Sequence, residues 1–455
     1  MTLEIESKDT LDIKANILRP GEAGWSDTID VLRNRLGAPG NPSLFPPHFI
    51  KKTLVSIGGF VVEFKDKNEL LGAGFVFPRR TQEGTGFTLR FHGLSSRLSP
   101  EKAQSLTERV TFDKNGTRLP VHLYIPSGNI IAEFPQETVS LECLRIGQTS
   151  PQEGARVRDL QKEVWGVSDD FLYPADIHTS EFSLPTSLIA YVDGKAVGFL
   201  FGFDKFCFNE LPEGLSGCIA NPTLREESQL MGVLPDQRSR GIASTLKIKQ
   251  AEKAIQNGTE IINWTFDPLL SQNAVLNLKK LRVVIWEHNL NYYNYAFSGA
   301  NRLSQIPASR VSVSWLISSP RVREEIAEAG RSDSLKNAFL QGDIPVVNST
   351  HGYNSVDGEE MRAIDDTYTH SLDVPQIAIE IPVNWVDIQE KDIPLAQQWR
   401  SITDAIFQEY IGRLRGQYAI TDIVTLDKND SVSRAFLIGK PIDQIQKIFL
   451  GEDVE

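Results

Sequence analysis

Between Glu227 and Asn277 the sequence sets Arg238-Ser239-Arg240-Gly241-Ile242-Ala243 between two patterned runs. SQLMGVLP (228–235) predicts a strand, and IASTLKIKQAEKAIQN (242–257) predicts a helix closed by Gly258. Glycine is common just past the last helical turn. A helix N-terminus carries unpaired N–H groups and a partial positive charge, so phosphates bind there readily. Gly241 lets the backbone approach an anion, Ala243 keeps the first turn uncluttered, and Arg238 and Arg240 add cationic side chains. The pattern predicts a pyrophosphate site over residues 238–243. Its plainer alternative is an exposed basic turn ahead of an amphipathic helix. A second strand, IINWTF (261–266), follows and ends at Asp267-Pro268.

The order strand, Pro235-x-x-Arg238-x-x-Gly241-x-Ala243, helix, strand resembles the acyl-CoA site of the GNAT N-acyltransferase superfamily. Trp264-Thr265-Phe266-Asp267-Pro268-Leu269, followed by Asn273-Ala274 and Asn277, is similar to one group of GNAT acetyltransferases. The likeness spans residues 150–325 through Trp315 and, loosely, 375–425 with Trp399-Arg400. It implies a mixed α/β GNAT fold, a central twisted mixed sheet flanked by helices. It also implies an acetyl-CoA or other acyl-CoA co-substrate, an amine acceptor in a small metabolite or peptide, and no metal. The pantetheine arm would lie between strands 228–234 and 261–266. Backbone N–H groups of Arg238, Ser239, Arg240, Gly241, Ile242 and Ala243 would hold the pyrophosphate, and Asn273 would contact the arm.

Acyl transfer from a thioester makes three demands. The amine must lose a proton, the oxyanion needs a donor, and the leaving thiolate benefits from a proton; positioning supplies much of the rest. A backbone N–H among Met231, Gly232 and Val233 is the expected oxyanion donor. Tyr293, then Tyr292, stands where such folds place the thiolate's proton donor, with aromatic packing in WEHNLNYYNY as the alternative. Glu227, with Glu226 beside it, is the carboxylate candidate for the base, against a reading of both as surface charge. His288 titrates near neutral pH, against a reading as a polar surface or satisfied core histidine. Departures from the group cluster on the acceptor side. Gln229 stands where the group has a histidine, Arg282 where it has glycine, Asn294 after Tyr293, and Ala308-Ser309-Arg310 at a Ser-Asp-Arg-like turn.

The elements around this segment repeat. Gly59–Phe64 and Leu70–Phe77, turning at Lys67-Asn68, match Leu188–Val192 and Ala196–Phe203, turning at Asp193-Gly194, and a third strand follows each (Phe87–Leu94; Ser228–Leu234). Asp-Gly supplies the positive φ of a tight hairpin. The first copy has no phosphate turn; Ser99 and Pro100 instead suit the cap and first position of a helix near 101–110. Three domains are expected: 1–145, a degenerate GNAT-like half or an unrelated accessory domain; 146–325, the acyl-CoA-binding domain; and 326–455, a connector and C-terminal extension. The polar stretch Gly342 to Asp373 reads as a loop, Ile377–Val383 as a strand, 393–415 as a helix with Leu395, Trp399, Ile402, Ile406 and Tyr410 on one side, and two short strands near 418–425 and 434–438.

Composition bounds the rest. The 455 residues carry 47 Lys+Arg against 59 Asp+Glu, a net charge of −12, which disfavours nucleic-acid binding and anionic membranes. Three scattered cysteines build no disulfide framework, and seven isolated histidines give no zinc spacing. The polar start of the sequence and the lack of a long apolar run predict a cytoplasmic protein, monomeric or weakly dimeric. Two other classes stay open: a non-catalytic acyl-CoA-binding module or scaffold, and aminoacyl transfer from charged tRNA, which the acidic balance and the phosphate turn oppose.

Overall fold

The structure, a computed structural model, describes residues 12–22, 24–37, 46–81, 84–113, 116–126, 136–138, 144–149, 151–166, 171–178, 181–182, 184–207, 211–212, 215, 219, 223–292, 306–327, 333–354, 360–414, 416–426 and 433–450. It is a mixed α/β protein with helices flanking its sheets. Two compact units divide the chain: Met1–Phe208 with Thr223–Asn257, and Asn209–Pro222 with Gly258–Glu455. Among the described residues no helix is long and apolar enough to cross a membrane.

The first unit runs β1 (Ile13–Leu18), α1 (Trp25–Leu32), α2 (Leu54–Ser56), β2 (Phe60–Asp66), β3 (Glu69–Thr81), β4 (Gly84–Gly93), α3 (Pro100–Glu108), β5 (Val121–Tyr124), β6 (Gln136–Thr138), β7 (Leu144–Gln148), α4 (Pro151–Trp165), β8 (Thr186–Val192), β9 (Lys195–Phe206), β10 (Leu224–Val233) and α5 (Ile242–Gln256). One sheet has the order β1-β2-β3-β4-β5, antiparallel except for the parallel pair β4–β5 that brackets α3. As the sequence predicts, Ser99 caps α3 by accepting the N–H of Lys102 at 3.2 Å, with Pro100 in the first turn. The other sheet of this unit is the antiparallel series β10-β9-β8-β7-β6.

The two hairpins of this unit share their detail. Lys67 (φ 53°) opens one turn, and Asp193 (φ 50°) with Gly194 (φ 76°) form the other. In each, the register skips one residue two pairs from the turn: Leu71, before the pair Phe64–Gly72, and Val197, before the pair Ala190–Gly198. The carbonyl of each skipped residue then accepts an N–H from just past the third strand, Leu94 to Leu71 and Leu234 to Val197, both at 2.9 Å. The third strands differ. β4 pairs with β3 without a shift, whereas β10 bulges at Gln229.

A single aromatic core runs through the first unit, joining Trp25, Ile29, Phe49 and Phe77 to Tyr173, Phe199, Phe201 and Phe203. Phe49 stacks on Phe77 at 5.4 Å and meets Tyr173 edge-on at 5.6 Å. Arg90, fully buried, donates to both carboxylate oxygens of Asp176 at 3.0 and 2.9 Å. Burying each such ring is worth about 1.5–3 kcal/mol.

The second unit runs β11 (Ile262–Phe266), α6 (Ser271–Ala274), β12 (Val284–Asn289), β13 (Arg310–Trp315), α7 (Pro320–Ala327), α8 (Asp333–Gln341), β14 (Asn348–Asn354), β15 (Glu360–Tyr368), β16 (Ile377–Ile381), α9 (Trp385–Lys391), α10 (Ile393–Tyr410), β17 (Tyr418–Leu426), β18 (Arg434–Pro441) and α11 (Ile445–Leu450). Its strands pair antiparallel in the order β16-β18-β17-β12-β13-β11. The polar stretch 342–373 is no loop: β14 and β15 form a hairpin within it. Met361, Ala363 and Ile364 are buried, and the carbonyl of Arg362 accepts the indole N–H of Trp399 on α10 at 3.0 Å. Three small or medium side chains suffice because the neighbouring helix supplies the large ones.

Candidate active site

The turn after β10 has the backbone that its residues foreshadow. Gly241, at φ 83° and ψ −5°, is the cap of the 15-residue helix α5 and brings no capping side chain. The first N–H groups of α5 therefore depend on solvent or an anion. Ser239 is also left-handed, at φ 62°. Residues 238–240 are exposed, while Ile242 is buried. Arg238 donates through Nε to the carbonyl of Val233 at 3.2 Å, tying the turn to the end of β10, and Arg240 donates to Gln237 at 2.5 Å. Met231 and Val233 pack on the α5 side with Ile242 and Leu246. Gly232 meets the opposite side, where an added Cβ would lie 2.8 Å from Phe199. Residues 231–243 are thus one local constellation.

Glu226 and Glu227 do not precede β10 as surface charges. They lie within it and are buried, at 0% and 8% exposure. Alternation sends them to opposite faces. Glu227 bonds Lys205 at 2.9 Å on the face of its cross-strand partner Phe203, a member of the aromatic core. Glu226 points to α5 and accepts from Gln250 at 2.6 Å. Gly202 makes room for it, since a Cβ there would stand 2.7 Å from the carboxylate. Ser228 donates to Gln250 at 3.0 Å, and Lys247 donates to Ser228 at 2.6 Å and to Gln250 at 3.2 Å.

Burial dominates the ionisation of this cluster. It pushes the Glu226 carboxyl up to about 7, against bonds from Thr186 and Gln250 and the charge of Lys247. It lowers the Lys247 amine to about 7, against the attraction of Glu226 and Glu227. Asp204, across the strand pair from Glu226, rises to about 6 for the same reason, opposed by the Arg80 N–H at 2.7 Å. Sequence reading missed Lys247 and Gln250. The available signal was two polar residues inside the buried stripe Ile242, Leu246, Ala251, Ala254 of α5.

The remaining candidates belong to the second unit. Asn273 is exposed on α6. Tyr292 is 40% exposed just beyond β12. Tyr293 and Asn294 lie outside the described residues. His288 is a core histidine rather than a surface one: its Nε2 meets Asp404 at 3.1 Å, Ser309 donates to the same carboxylate at 2.7 Å, and its Nδ1 is buried without a hydrogen-bond partner. Asp267, from the WTFDPL run, accepts from Arg400 at 2.6 Å, the Trp385 indole at 3.3 Å and its own Leu269 N–H at 3.0 Å. The two stretches of likeness, WTFDPL and Trp399-Arg400, thus meet in one buried ion pair. Arg282 holds the left-handed backbone that favours glycine (φ 56°) and binds Asp422 at 2.6 Å.

No family model matches this sequence, and no curated protein matches it. Solved structures do resemble part of the fold, acetyltransferases among them. Arabidopsis thaliana NAA60 in complex with acetyl-CoA is 12% identical, with a TM-score of 0.30 over 38% of this chain and 98% of that one. Arabidopsis thaliana Naa50 in complex with the bisubstrate analogue CoA-Ac-MVNAL is 18% identical, with a TM-score of 0.28 over 38% and 97%. A GNAT-family acetyltransferase from Streptococcus pneumoniae is 12% identical, with a TM-score of 0.28 over 38% and 97%.

Proposed function

We propose that the protein is an acyl-CoA-dependent N-acyltransferase of the GNAT type, moving an acyl group from a CoA thioester to an amine of a small metabolite or peptide. The observation that carries this reading is the phosphate turn: Gly241 left-handed at the head of α5, directly after the bulged strand β10, with Arg238 and Arg240 beside it. N–H groups of 238–243 hold the pyrophosphate, and the backbone of Met231, Gly232 and Val233 receives the thioester and its oxyanion. Glu227 takes the proton of the attacking amine, directly or through water. The C–N bond forms as the C–S bond breaks, and the thiolate takes a proton from Tyr293 or, second, Tyr292. Asn273 is the assigned contact of the pantetheine arm. The matched hairpins support reading 1–145 as a diverged copy without the phosphate turn, with 146–325 as the acyl-CoA domain and 326–455 as its extension.

Calorimetric titration with CoA and acetyl-CoA tests this. Wild type is expected to bind, and Arg238→Glu with Arg240→Glu to lose at least tenfold in affinity. Both residues are exposed, so the circular dichroism and melting temperature should hold. Gly241→Asp is the harsher control, because it also strains a φ of 83°. No binding of either ligand by wild type would refute the assignment.

A further inference from the structure

Strand β10 changes face at its bulge. Ahead of Gln229, Glu226 and Ser228 point to α5. Beyond it, Met231 and Val233 point to α5, and Gly232 turns to Phe199. Side chains alternate along a strand, so Ser228 and Met231, three residues apart, share a face only because an extra residue lies between them. Helix α5 holds the strand on both sides of that insertion. Beyond it, Ile242 and Leu246 pack with Met231 and Val233. Ahead of it the hold is polar. Lys247 donates to Ser228 Oγ at 2.6 Å and to Gln250 Oε1 at 3.2 Å, Ser228 donates to the same Oε1 at 3.0 Å, and Gln250 donates to Glu226 at 2.6 Å. All of these side chains are buried. A buried amine is costly unless it is bonded, and this one is bonded to the last residue before the bulge.

Strand β4 supplies the contrast. It pairs with β3 without a shift, and Phe87, Leu89 and Phe91 join Ala103 and Leu106 of α3 in unbroken alternation. No insertion is needed where the helix meets one continuous apolar face. We propose that Lys247, acting through Ser228, is a positioning residue for acyl transfer: it pins the bulge at Gln229 and so fixes which backbone N–H groups of residues 231–233 meet the thioester. The inference rests on the acyltransferase reading. A bulge that migrates along the strand flips every residue it passes, and the direction of each N–H flips with it.

Calorimetry with acetyl-CoA and hydrogen exchange by mass spectrometry test this on wild type, Lys247→Met, Ser228→Ala and Ser228→Thr. Lys247→Met keeps an unbranched stem and removes the donor, and Ser228→Thr keeps the hydroxyl. Lys247→Met and Ser228→Ala are expected to bind acetyl-CoA about tenfold more weakly or worse, with Ser228→Thr close to wild type. In the two weakened variants, exchange should quicken about tenfold in residues 229–233 while α5 and β8 keep their protection. Wild-type affinity in Lys247→Met or Ser228→Ala would overturn the proposal. So would equal losses in Ser228→Ala and Ser228→Thr, or exchange that rises throughout the unit, because a merely structural role predicts a general loosening. Should Lys247→Met not fold, Lys247→Gln, which also removes the amine, takes its place. Failure of wild type to bind either CoA or acetyl-CoA would defeat the acyltransferase reading and this inference with it. Wild-type binding that is indifferent to the hydroxyl at 228 defeats this inference alone.

Discussion

Glu226 and Glu227 are neighbours in sequence and opposites in role, because side chains alternate along a strand. Glu227, bonded to Lys205 at 2.9 Å, is the proposed base. Glu227→Gln keeps the shape and removes the proton acceptor, so kcat should fall about a hundredfold or more while affinity for acetyl-CoA holds; steady-state kinetics with calorimetry separates the two. Glu226 makes a different prediction. Its carboxyl is raised from 4.5 to about 7 in the folded protein. Between those values the native state binds a proton that the unfolded chain does not, so this group's stabilisation is full below 4.5 and is lost as pH rises through 7. A tenfold change in proton affinity corresponds to about 1.4 kcal/mol, giving an upper limit of about 3 kcal/mol. Lys247 runs the other way: its amine is depressed from 10.5 to about 7, so its contribution is full above 10.5 and fades as pH falls to 7. Glu226→Gln keeps the acceptor for Gln250 and removes the titration. Its melting temperature relative to wild type should climb by several degrees from about pH 5 to about pH 8. A flat difference across that range would show that Glu226 is not protonated at its acidic end.

At the level of elements, a buried ion pair ties the end of β11 to α9 and α10 in the second unit. Asp267, just after β11, carries the bonds of Arg400 and Trp385, and Arg400 lies 5.1 Å over the Trp385 ring. Removing one member strands a buried charge at a cost of about 3–5 kcal/mol, whereas replacing both with apolar groups can be near neutral. Asp267→Ala should therefore lower the urea midpoint sharply, and Asp267→Ala with Arg400→Leu should recover most of it. The sequence showed both halves of this pair, WTFDPL and Trp399-Arg400, but not that they touch, since 133 residues separate them. Hairpins were legible because period-two alternation and turn residues are local signals, and the turn at Gly241 into α5 because the glycine and the run that follows it are local too. The hairpin β14–β15 was not, because its buried side chains are few and divided between its faces, Met361 and Ala363 on one and Ile364 on the other. Glu226, Lys247 and Gln250 were misread or missed for a related reason. A charged residue reads as solvated unless its distant partners are known.

The whole chain is acidic, at −12, yet it places arginines at the one turn proposed to meet phosphate. For the proposed site, local charge and not the total is the relevant quantity. The first unit holds two similar hairpins; each has a hydrophobic cluster of its own, and a third cluster joins them. Phe49 and Phe77 from the first part share one cluster with Tyr173, Phe199 and Phe203 from the second, and the Thr53 hydroxyl meets the Tyr173 hydroxyl at 2.5 Å. Arg90 and Asp176 add a bidentate ion pair between the same parts. A cluster shared in this way should couple the opening of the two parts. Arg90→Ala leaves Asp176 without its bidentate partner beside apolar rings, at a cost of about 3–5 kcal/mol. Hydrogen exchange measured by mass spectrometry should then show protection falling together in β2–β4 and in β8–β10, the strand proposed to receive the thioester included. Loss confined to β2–β4 would mean that the first part folds on its own and only leans on the second. Equal loss in both would mean that the rings of the first part complete the core beneath the strand proposed to bind the donor.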